Sequence, residues 1–439
     1  MMKPTGLVAA AGVLAALSVT IWWTNKHPKA VTPATPPSPQ ILSLKEDQIT
    51  GIRIAKPGVD AITLKKLADN WVVAEPQQVP ADQDTAKSMV GSLASLTADR
   101  MIDEHPTDLA QFGLVVPPEE IDVTESNGNV DKVLIGSDTP SGSTTYAKLA
   151  SKPGVYTLAS TTKSTFDKGV NDLRDKRLLP FNQDKVTAVS LTSRGPAFEF
   201  GKNGQGDWQI TKPKPMRADT QQVDDLVRKL KDAKMDLATD DDQKKAAAEF
   251  AAATKVATAS VTDNSGTETI ELRQAKDKTY YAKSSALPGF YKLSGDLGDG
   301  VKDKDVDGFR NKKLFDFAFN DPTKIEINGN AYQKTADKWN AGSAQYDAGS
   351  IQSVVDKLRD LSAAKFADKP GGSQALTLAV TSGDNHKVEK VTLNKSGDEY
   401  DAIRDGDPTV YVLDAAAFGD LQKAISGIRP YTAPKSGKK

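Results

Sequence analysis

The sequence predicts an α+β protein in which three tandem copies of one unit follow an N-terminal transmembrane helix. Each unit is predicted to be a mainly antiparallel sheet with two helices. Three observations support this prediction: an uncharged apolar segment near the N-terminus, a tryptophan that recurs at nearly equal intervals, and helix and strand patterns that recur around each tryptophan. A chain of 439 residues is long enough for two to four ordinary domains.

A membrane anchor is predicted at the N-terminus. Residues 6–23 carry no charge and are mostly apolar. A helix needs roughly 20 such residues to cross a bilayer core, and Trp22 and Trp23 at its end suit the membrane–water interface. The alternative is a cleaved signal peptide, whose apolar stretch is typically roughly 7–15 residues long. We predict an uncleaved anchor over residues 1–27 that exports the rest of the chain.

Two further segments are predicted to lie outside folded domains. Residues 28–40 contain five prolines, and this composition gives an extended, semi-rigid spacer without a packed core. Residues 433–439 are short, polar and basic, and we predict a disordered basic tail there.

The repeat is clearest at the three remaining tryptophans, Trp71, Trp208 and Trp339. They are separated by 137 (208 − 71) and 131 (339 − 208) residues. After each one, an aspartate opens an apolar pattern with helical spacing, which suits an N-cap that accepts hydrogen bonds from the first turn. The aspartates are Asp82, Asp219 and Asp347, and the valines eight positions after them are Val90, Val227 and Val355.

A tyrosine-containing strand recurs later in each copy, at Tyr156, Tyr291 and Tyr411. Alternating β-branched and aromatic residues, with glycine and aspartate between the runs, predict a hairpin that includes this strand. A closing helix with a basic end is expected next. The segments that carry this pattern are residues 173–179, residues 309–315 and, in a weaker form, residues 421–429.

These recurrences divide the exported part into repeat unit 1 at residues 41–181, repeat unit 2 at residues 182–319 and a shortened repeat unit 3 at residues 320–432. Strands that alternate with only two substantial helices favour an antiparallel sheet with its helices on one face. The period is much longer than that of solenoid repeats, so the copies are predicted to be tandem domains.

The order of motifs in the first copy resembles the bacterial family DUF4340, a domain of unknown function. The resemblance is best over residues 41–181 and weaker over the later copies. It rests on Trp71, Val79-Pro80-Ala81-Asp82, Leu93-Ala94-Ser95-Leu96, Asp99-Arg100, Phe112-Gly113-Leu114, residues 134–142 and residues 173–179. The resemblance implies an N-terminal membrane segment, an exported domain and an accessory role beside envelope ABC-transporter components of the gliding-motility type. It supplies no reaction and no catalytic residues.

Composition excludes several classes of function. Lys+Arg and Asp+Glu nearly cancel, at 57 and 58, so there is no overall basic footprint for nucleic acid. The absence of cysteine excludes disulfides, thiolate metal sites and cysteine nucleophiles. The three histidines lie in different regions, which disfavours a histidine metal site. We therefore predict no cofactor, no resident metal and no catalytic residues.

Four short motifs partly resemble functional sites, but an ordinary structural role is preferred for each. Residues 303–308 match the opening of a calcium loop, but position 12 is Leu314 where a bidentate glutamate is needed, so a helix N-terminus is preferred. Ser160-Thr161-Thr162-Lys163 has no Lys-Thr-Gly partner and is predicted to cap a helix. Residues 136–142 lack the end of a P-loop and are predicted to form a hairpin turn. The acidic residues 240–242 are expected in a solvated loop.

Two recurring sets of residues remain as candidates for contacts. The repeated basic run could bind anionic lipid or an acidic partner, or it could simply complement a helix C-terminus. The repeated tryptophans and tyrosines are predicted to be core scaffold and not a ligand platform. The basic candidates are Arg174, Lys176, Arg177, Arg310, Lys312 and Lys313.

The sequence thus predicts a non-catalytic, membrane-anchored, exported protein that serves as an accessory or scaffold component of a bacterial envelope complex. The anchor would place it in the inner membrane as a single-pass protein, with its soluble part in the periplasm and an envelope protein as partner. The alternative is a periplasmic binding module for a glycan, peptide or lipid, and a hydrolase is least favoured. A specific site is expected where the copies differ, or at the junctions near Asn182 and Asn320.

Overall fold

The computed structural model describes residue 22 and residues 38–236, 240–320 and 322–433, and within these ranges no side chain of residues 240–243. The described chain forms three nine-stranded antiparallel sheets with helices, and this confirms the predicted α+β class and the three units. Two compact units divide the chain, one ending at Asp175 and the other beginning at Lys176. The first unit holds the first repeat, and the second unit holds the other two.

The first repeat forms a sheet in the order β4-β3-β2-β1-β6-β7-β8-β9-β5. Its strands are β1 (Ile49–Ala55), β2 (Ile62–Leu67), β3 (Asn70–Glu75), β4 (Val79–Pro80), β5 (Arg100–Asp103), β6 (Glu119–Glu125), β7 (Val130–Asp138), β8 (Thr144–Leu149) and β9 (Val155–Ala159). Its helices are α1 (Gln83–Ala94), α2 (Ser160–Phe166) and α3 (Val170–Leu173), with short 3-10 turns at Glu46–Gln48 and Ala110–Phe112.

The second repeat has the same strand order, β13-β12-β11-β10-β15-β16-β17-β18-β14. Its strands are β10 (Ala188–Thr192), β11 (Phe198–Lys202), β12 (Trp208–Lys212), β13 (Met216–Arg217), β14 (Lys234–Met235), β15 (Thr254–Asp263), β16 (Gly266–Gln274), β17 (Tyr280–Ser284) and β18 (Tyr291–Ser294). Its helices are α4 (Thr220–Lys231), α5 (Asp240–Ala252) and α6 (Leu297–Val301), with 3-10 turns at Gln183–Lys185 and Val306–Phe309.

The third repeat repeats the order as β22-β21-β20-β19-β24-β25-β26-β27-β23. Its strands are β19 (Pro322–Ile327), β20 (Asn330–Thr335), β21 (Lys338–Ala341), β22 (Ala344–Tyr346), β23 (Lys365–Ala367), β24 (Ser373–Ser382), β25 (Lys387–Ser396), β26 (Glu399–Arg404) and β27 (Val410–Leu413). Its helices are α7 (Ala348–Asp360) and α8 (Ala415–Ser426).

The recurring tryptophans and aspartates do what the sequence predicts. Trp71, Trp208 and Trp339 each retain only 4% exposure in the core of their own sheet. Each aspartate caps the helix that follows it. The carboxylates of Asp82, Asp219 and Asp347 accept hydrogen bonds from backbone N–H groups of the first turn, at 2.8, 3.2 and 2.9 Å. The helix residues Val90, Val227 and Val355 are buried against the sheets. The strand tyrosines Tyr156, Tyr291 and Tyr411 are buried as well.

The sequence predicts that each basic run ends a helix. In the structure the basic runs are extended instead. Helix α3 ends at Leu173, and Arg174 continues in extended conformation to bridge Ala81 at the edge of the first sheet. Arg310 bridges Ala218 in the same way. These bridges satisfy backbone groups that an open sheet edge would leave unpaired.

Immediately after each run, the chain enters the next sheet. Arg177 bridges Lys234 in the second repeat, and Lys313 bridges Ser362 in the third. The division between the compact units at Asp175 therefore lies upstream of the boundary expected at residues 181/182, because the incoming strand belongs to the repeat that it enters. The sequence signal for a new strand at Asn182 marks a later segment of that repeat.

The three copies differ most on the sheet face opposite to the helices that follow the tryptophans, called here the outer face. In the first repeat, Phe112 and Leu114 pack on this face against Tyr146. In the second repeat, α5 covers it through Phe250, which contacts Tyr281 and Phe290. Residues 240–242 thus begin a helix and not the expected loop.

Among the described residues the third repeat has no corresponding segment on this face, because residues 368–372 alone connect β23 to β24. Side chains alternate between the two faces of a strand. Val391 and Ala402 point into the helix-covered core, so Thr392 and Ile403 point to the outer face. The shortening that the sequence predicts for this copy therefore removes the outer cover and leaves all nine strands in place.

No helix among the described residues is long and apolar enough to cross a membrane. The predicted anchor and most of the proline-rich spacer lie outside the described residues, apart from Trp22 and residues 38–40, and so does most of the predicted basic tail.

Candidate functional site at the junction of the second and third repeats

A cluster of charged side chains joins the second repeat to the third. Arg217, at the end of edge strand β13, lies where its guanidinium reaches three groups of the following repeat and its incoming chain. One Nη donates to the Lys313 carbonyl at 2.8 Å and to the Tyr411 hydroxyl at 2.9 Å. The other forms an ion pair with Asp316. One side chain thus holds an edge strand, the connecting chain and strand β27 together.

Asp316 is shared between two arginines. Its second carboxylate oxygen lies 3.1 Å from Nη2 of Arg404 on β26, and that same nitrogen lies 3.1 Å from Glu389 on β25. Glu389 also accepts the Asp316 backbone N–H, at 3.1 Å. Since the Arg404 and Glu389 side chains are only 11% and 4% exposed, solvent screens this pair weakly.

The Tyr411 hydroxyl connects this network to Asp407. It accepts from Arg217 and donates to Asp407 at 2.8 Å. Burial alone would raise the pKa of Asp407, but hydrogen bonds from Thr409 and Tyr411 outweigh it and hold that pKa below its ordinary value. Burial is the largest influence on Tyr411 and raises its pKa. At neutral pH we therefore expect a protonated tyrosine between an arginine and a carboxylate.

The second repeat lacks this arrangement at the corresponding positions. Glu268 pairs with Val261 as Glu389 pairs with Val380, and Ser284 stands opposite Ile270 as Arg404 stands opposite Val391. The Ser284 hydroxyl donates to the Leu178 carbonyl, where Arg404 donates to the Leu314 carbonyl. A serine at this position is too short to reach a second carboxylate. The junction cluster, defined as Arg217, Asp316, Glu389, Arg404, Asp407 and Tyr411, is therefore a feature that distinguishes the third copy.

An open groove of about 730 Å³ runs beside the junction cluster on the outer face of the third sheet. Arg404 and Asp407 belong to both the cluster and the groove. The groove lining is Lys390, Thr392, Ile403, Arg404, Asp405, Gly406, Asp407 and Pro408. A second hollow of about 400 Å³ has Arg217, Asp316 and Lys387 in its wall. Residues of the cluster thus line both hollows.

Comparison with known families gives one result. The family model described as a domain of unknown function, DUF4340, matches residues 71–207 and 208–379. The chain belongs to the DUF4340 family. This confirms the resemblance found in the first copy and extends it through the second copy and into the third. Comparison with curated proteins and with solved structures gives no match.

The predicted anionic contact of this DUF4340 chain rests on basic residues that the structure places differently. Arg310 stacks its guanidinium over the Phe366 ring, 3.5 Å from the centroid, and pairs with Asp307 at 2.9 Å. Lys312 is exposed, while exposed Lys313 donates to the Arg359 carbonyl at 3.2 Å. The remaining three, Arg174, Lys176 and Arg177, are half-buried. Contact of these residues with an anionic partner stays a prediction, and Lys312 and Lys313 are the two exposed members of the six.

The short motifs that partly resemble functional sites have structural roles. Asp305 caps the 3-10 turn at Val306–Phe309 by accepting the Gly308 N–H at 3.2 Å. Among the described residues no group of three or more His, Asp or Glu side chains is placed to hold a metal ion. Ser160 is the first residue of α2, and its hydroxyl donates to the Ser143 carbonyl and not to its own helix. The expected turn covers residues 139–143, because β7 continues through Asp138.

The sequence singles out Tyr411 in the junction cluster, but only as scaffold. The other members are ordinary charged residues, scattered from position 217 to position 407. A comparison of the copies could have found one signal: Pro80 and Arg217 occupy the same place two residues before their N-capping aspartates. The strand pairings that bring Glu389 and Arg404 together are tertiary and leave no local pattern.

Proposed function

We propose that this DUF4340 chain is a non-catalytic, membrane-anchored and exported scaffold protein of a bacterial envelope complex. In this proposal the outer face of the third sheet holds a partner protein. The observation that carries it is the absence of an outer cover on the third repeat, where the described chain connects β23 to β24 through residues 368–372 only. The first two repeats cover the same face with Phe112 and with Phe250.

The junction cluster supports a scaffold because it fixes the orientation of the third repeat relative to the second. A charged network with partly buried members is costly to break, since removal of one partner leaves another charge without compensation. A rigid presenting surface also lowers the entropy lost when a partner binds. In this proposal the second repeat positions the third repeat, and the third repeat contacts the partner protein.

A catalytic role has less support from the described residues. The carboxylates in the junction cluster accept bonds from arginines, backbone N–H groups and Tyr411. A general acid or base needs a lone pair or proton directed at substrate, whereas these groups are directed at one another. We propose a structural role for them.

The proposal is tested by capture of partners from membranes. A photo-crosslinking amino acid at Thr392, in full-length protein in native membranes, is expected to trap an envelope protein. Lys390→Glu reverses an exposed charge in the groove and is expected to lower crosslinking by about tenfold. Lys395→Glu on the same strand, outside the groove, is the matched control and should crosslink like the unmodified chain. Equal crosslinking by both variants, or no trapped protein, would contradict the proposal.

The alternative function, a binding module for a glycan, peptide or lipid, is favoured by the size of the groove. Ligand pockets typically span roughly 300–1,000 Å³ and combine apolar area with a few polar groups, and the groove has about 730 Å³ with Ile403 and Pro408 beside charged residues. Binding of glycans, peptides or lipids to the purified full-length chain, lost in Lys390→Glu and kept in Lys395→Glu, would support this alternative. A trapped envelope protein without such binding would support the scaffold.

A further inference from the structure

A separate pocket of about 330 Å³ lies in the first repeat, between the end of β1 and the link from α2 to α3. Its walls are mostly apolar and include Ile54, Val59, Ile62, Pro76 and Val170. Val59 is 63% exposed at the mouth, while Ile54 is 3% exposed at the base. The pocket therefore deepens from an accessible rim to an apolar floor, and it lies far in sequence from the junction cluster.

The second repeat has an aromatic residue at the position of Ile62. Ile62 pairs with Ile54 as Phe198 pairs with Leu191, so Ile62 and Phe198 occupy the same position. The Phe198 ring packs against Phe309, with centroids 5.6 Å apart.

The position of Phe309 has an aliphatic residue in the first repeat. Phe309 corresponds to Leu173, since their carbonyls accept the N–H groups of the equivalent N-caps Asp219 and Asp82. Phe200, which contacts both Phe198 and Phe309, corresponds to Leu64 by the same strand pairing. The first copy thus has aliphatic side chains at the positions of three rings, and one of them, Ile62, lines the pocket.

Charged groups surround the mouth. Three charged residues line the pocket, and two of them, Lys56 and Lys168, are lysines, while the third is Asp60. The Lys56 ammonium donates a hydrogen bond to the Asp167 carboxylate. Its Nζ lies 3.9 Å from Oε1 of Glu119.

Glu119 is the other carboxylate near Lys56. Its side chain is 3% exposed, and its Oε1 has no hydrogen-bond partner among the described residues. Burial is the largest influence on Glu119 and raises its pKa, while the nearby Lys56 opposes that shift. Lys163, which also faces Glu119, is paired with Asp138 at 3.2 Å.

We propose that this pocket binds one acyl chain of an anionic amphiphile, with the carboxylate or phosphate head at Lys168 and Lys56. The apolar walls take the chain, because removal of each methylene from water favours binding. The lysines lie at the mouth, where the head group remains partly hydrated. This activity is independent of partner binding on the third repeat.

The test uses photoactivatable ten-carbon probes that carry a diazirine in the chain, added to the full-length protein in native membranes. Labelled peptides are mapped by mass spectrometry. The carboxylate and phosphate probes are expected to label peptides that contain residues 54–62 or 168–170, and a trimethylammonium probe with the same chain should label them about tenfold less. A diazirine phospholipid in the membrane distinguishes lipid from free fatty acid as the source of the chain.

Two variants make the result decisive. Ile62→Phe reproduces the second repeat and should reduce labelling by about tenfold, because the ring occupies the space of the chain. Val59→Asp places a negative charge at an exposed position of the mouth and should reduce labelling without disturbing the core. Leu67→Phe adds the same ring at a half-exposed position of the same strand and should label normally. Equal labelling by the ammonium probe, or normal labelling of both pocket variants, would overturn the proposal.

Discussion

Arg217 donates a hydrogen bond to the Tyr411 hydroxyl at 2.9 Å, although the two residues lie 194 positions apart in the chain. The equivalent tyrosine of the second repeat, Tyr291, donates to the nearby Pro288 carbonyl instead. The same tyrosine position therefore makes a local hydrogen bond in the second repeat and a hydrogen bond between repeats in the third. We therefore expect the orientation of the third repeat and its groove to depend on the second.

Replacement of Arg217 by alanine is expected to destabilise the second compact unit by about 2 kcal/mol, because hydrogen bonds of charged groups are lost. Urea unfolding of the full-length chain measures the change. Lys312→Ala removes an exposed lysine from the same connection and should change stability by less than about 0.5 kcal/mol.

A double-mutant cycle with Asp316→Ala separates the pair from its surroundings. We expect a coupling energy of about 1 kcal/mol between Arg217 and Asp316. Additive effects of the two substitutions would show that the ion pair contributes nothing to the junction. Loss of the partner crosslink at Thr392 in Arg217→Ala, with the third repeat still folded, would link orientation to binding.

Glu119→Gln is expected to stabilise the first repeat at neutral pH. Burial raises the pKa of Glu119 above its ordinary value of 4.5. A raised pKa in the folded state means that the contribution to stability is fully present below 4.5 and is lost as pH rises through the folded pKa. The gain from the glutamine, measured by thermal unfolding between acid and neutral pH, should therefore grow as pH rises. A gain that does not depend on pH would contradict this assignment.

Asp263→Asn is expected to show the opposite dependence. The Ser265 hydroxyl and the backbone N–H groups of Asn182 and Ser265 bind this carboxylate and lower its pKa from 3.8 to about 2. The stability that it contributes is present above 3.8 and is lost as pH falls through about 2. The variant should be less stable than the unmodified chain at neutral pH, and the difference should close across that acid window. Asp277→Asn removes a carboxylate at an exposed turn whose pKa is also lowered, by the backbone N–H of Thr279, and it should show a smaller difference with the same pH dependence.

Phe250→Ala is expected to release the outer cover of the second repeat. Phe250 is 5% exposed and lies under Arg273, 4.4 Å from the ring centroid. Truncation of a buried phenylalanine costs about 3 kcal/mol, so amide hydrogens of α5 should exchange faster while those of β10 and β11 stay protected. Phe319→Ala removes a ring that is 92% exposed and should leave exchange unchanged. Uniform acceleration across the repeat would show that α5 and the sheet unfold together.

The sequence predicts the fold of each copy well because its signals are local. An aspartate cap such as Asp219 acts within one helical turn, and a buried tryptophan such as Trp208 marks a strand by its immediate neighbours. The same signals recur in the same order at nearly equal intervals, so three units could be predicted. The strand order could not, because pairing between β1 and β6 is set by contacts distant in sequence.

The basic runs show where local reasoning fails. Lysines and arginines at the end of an apolar helical pattern are typical of a helix C-terminus, but α3 stops at Leu173 and the basic residues form edge contacts. The junction cluster escapes prediction for a related reason. Glu389 and Arg404 meet only when β25 and β26 pair in one register and the connecting chain delivers Asp316 between them.

The chain leaves one sheet at Arg174 and enters the next at Arg177, and it repeats this step at Arg310 and Lys313. Each copy thus closes its own edges with the chain on either side of it. We expect an in-frame duplication or deletion of DNA between two such steps to change the number of copies by a whole unit without exposing a new strand edge. Copy number in this architecture is an evolutionary variable separate from the surface chemistry of any one copy.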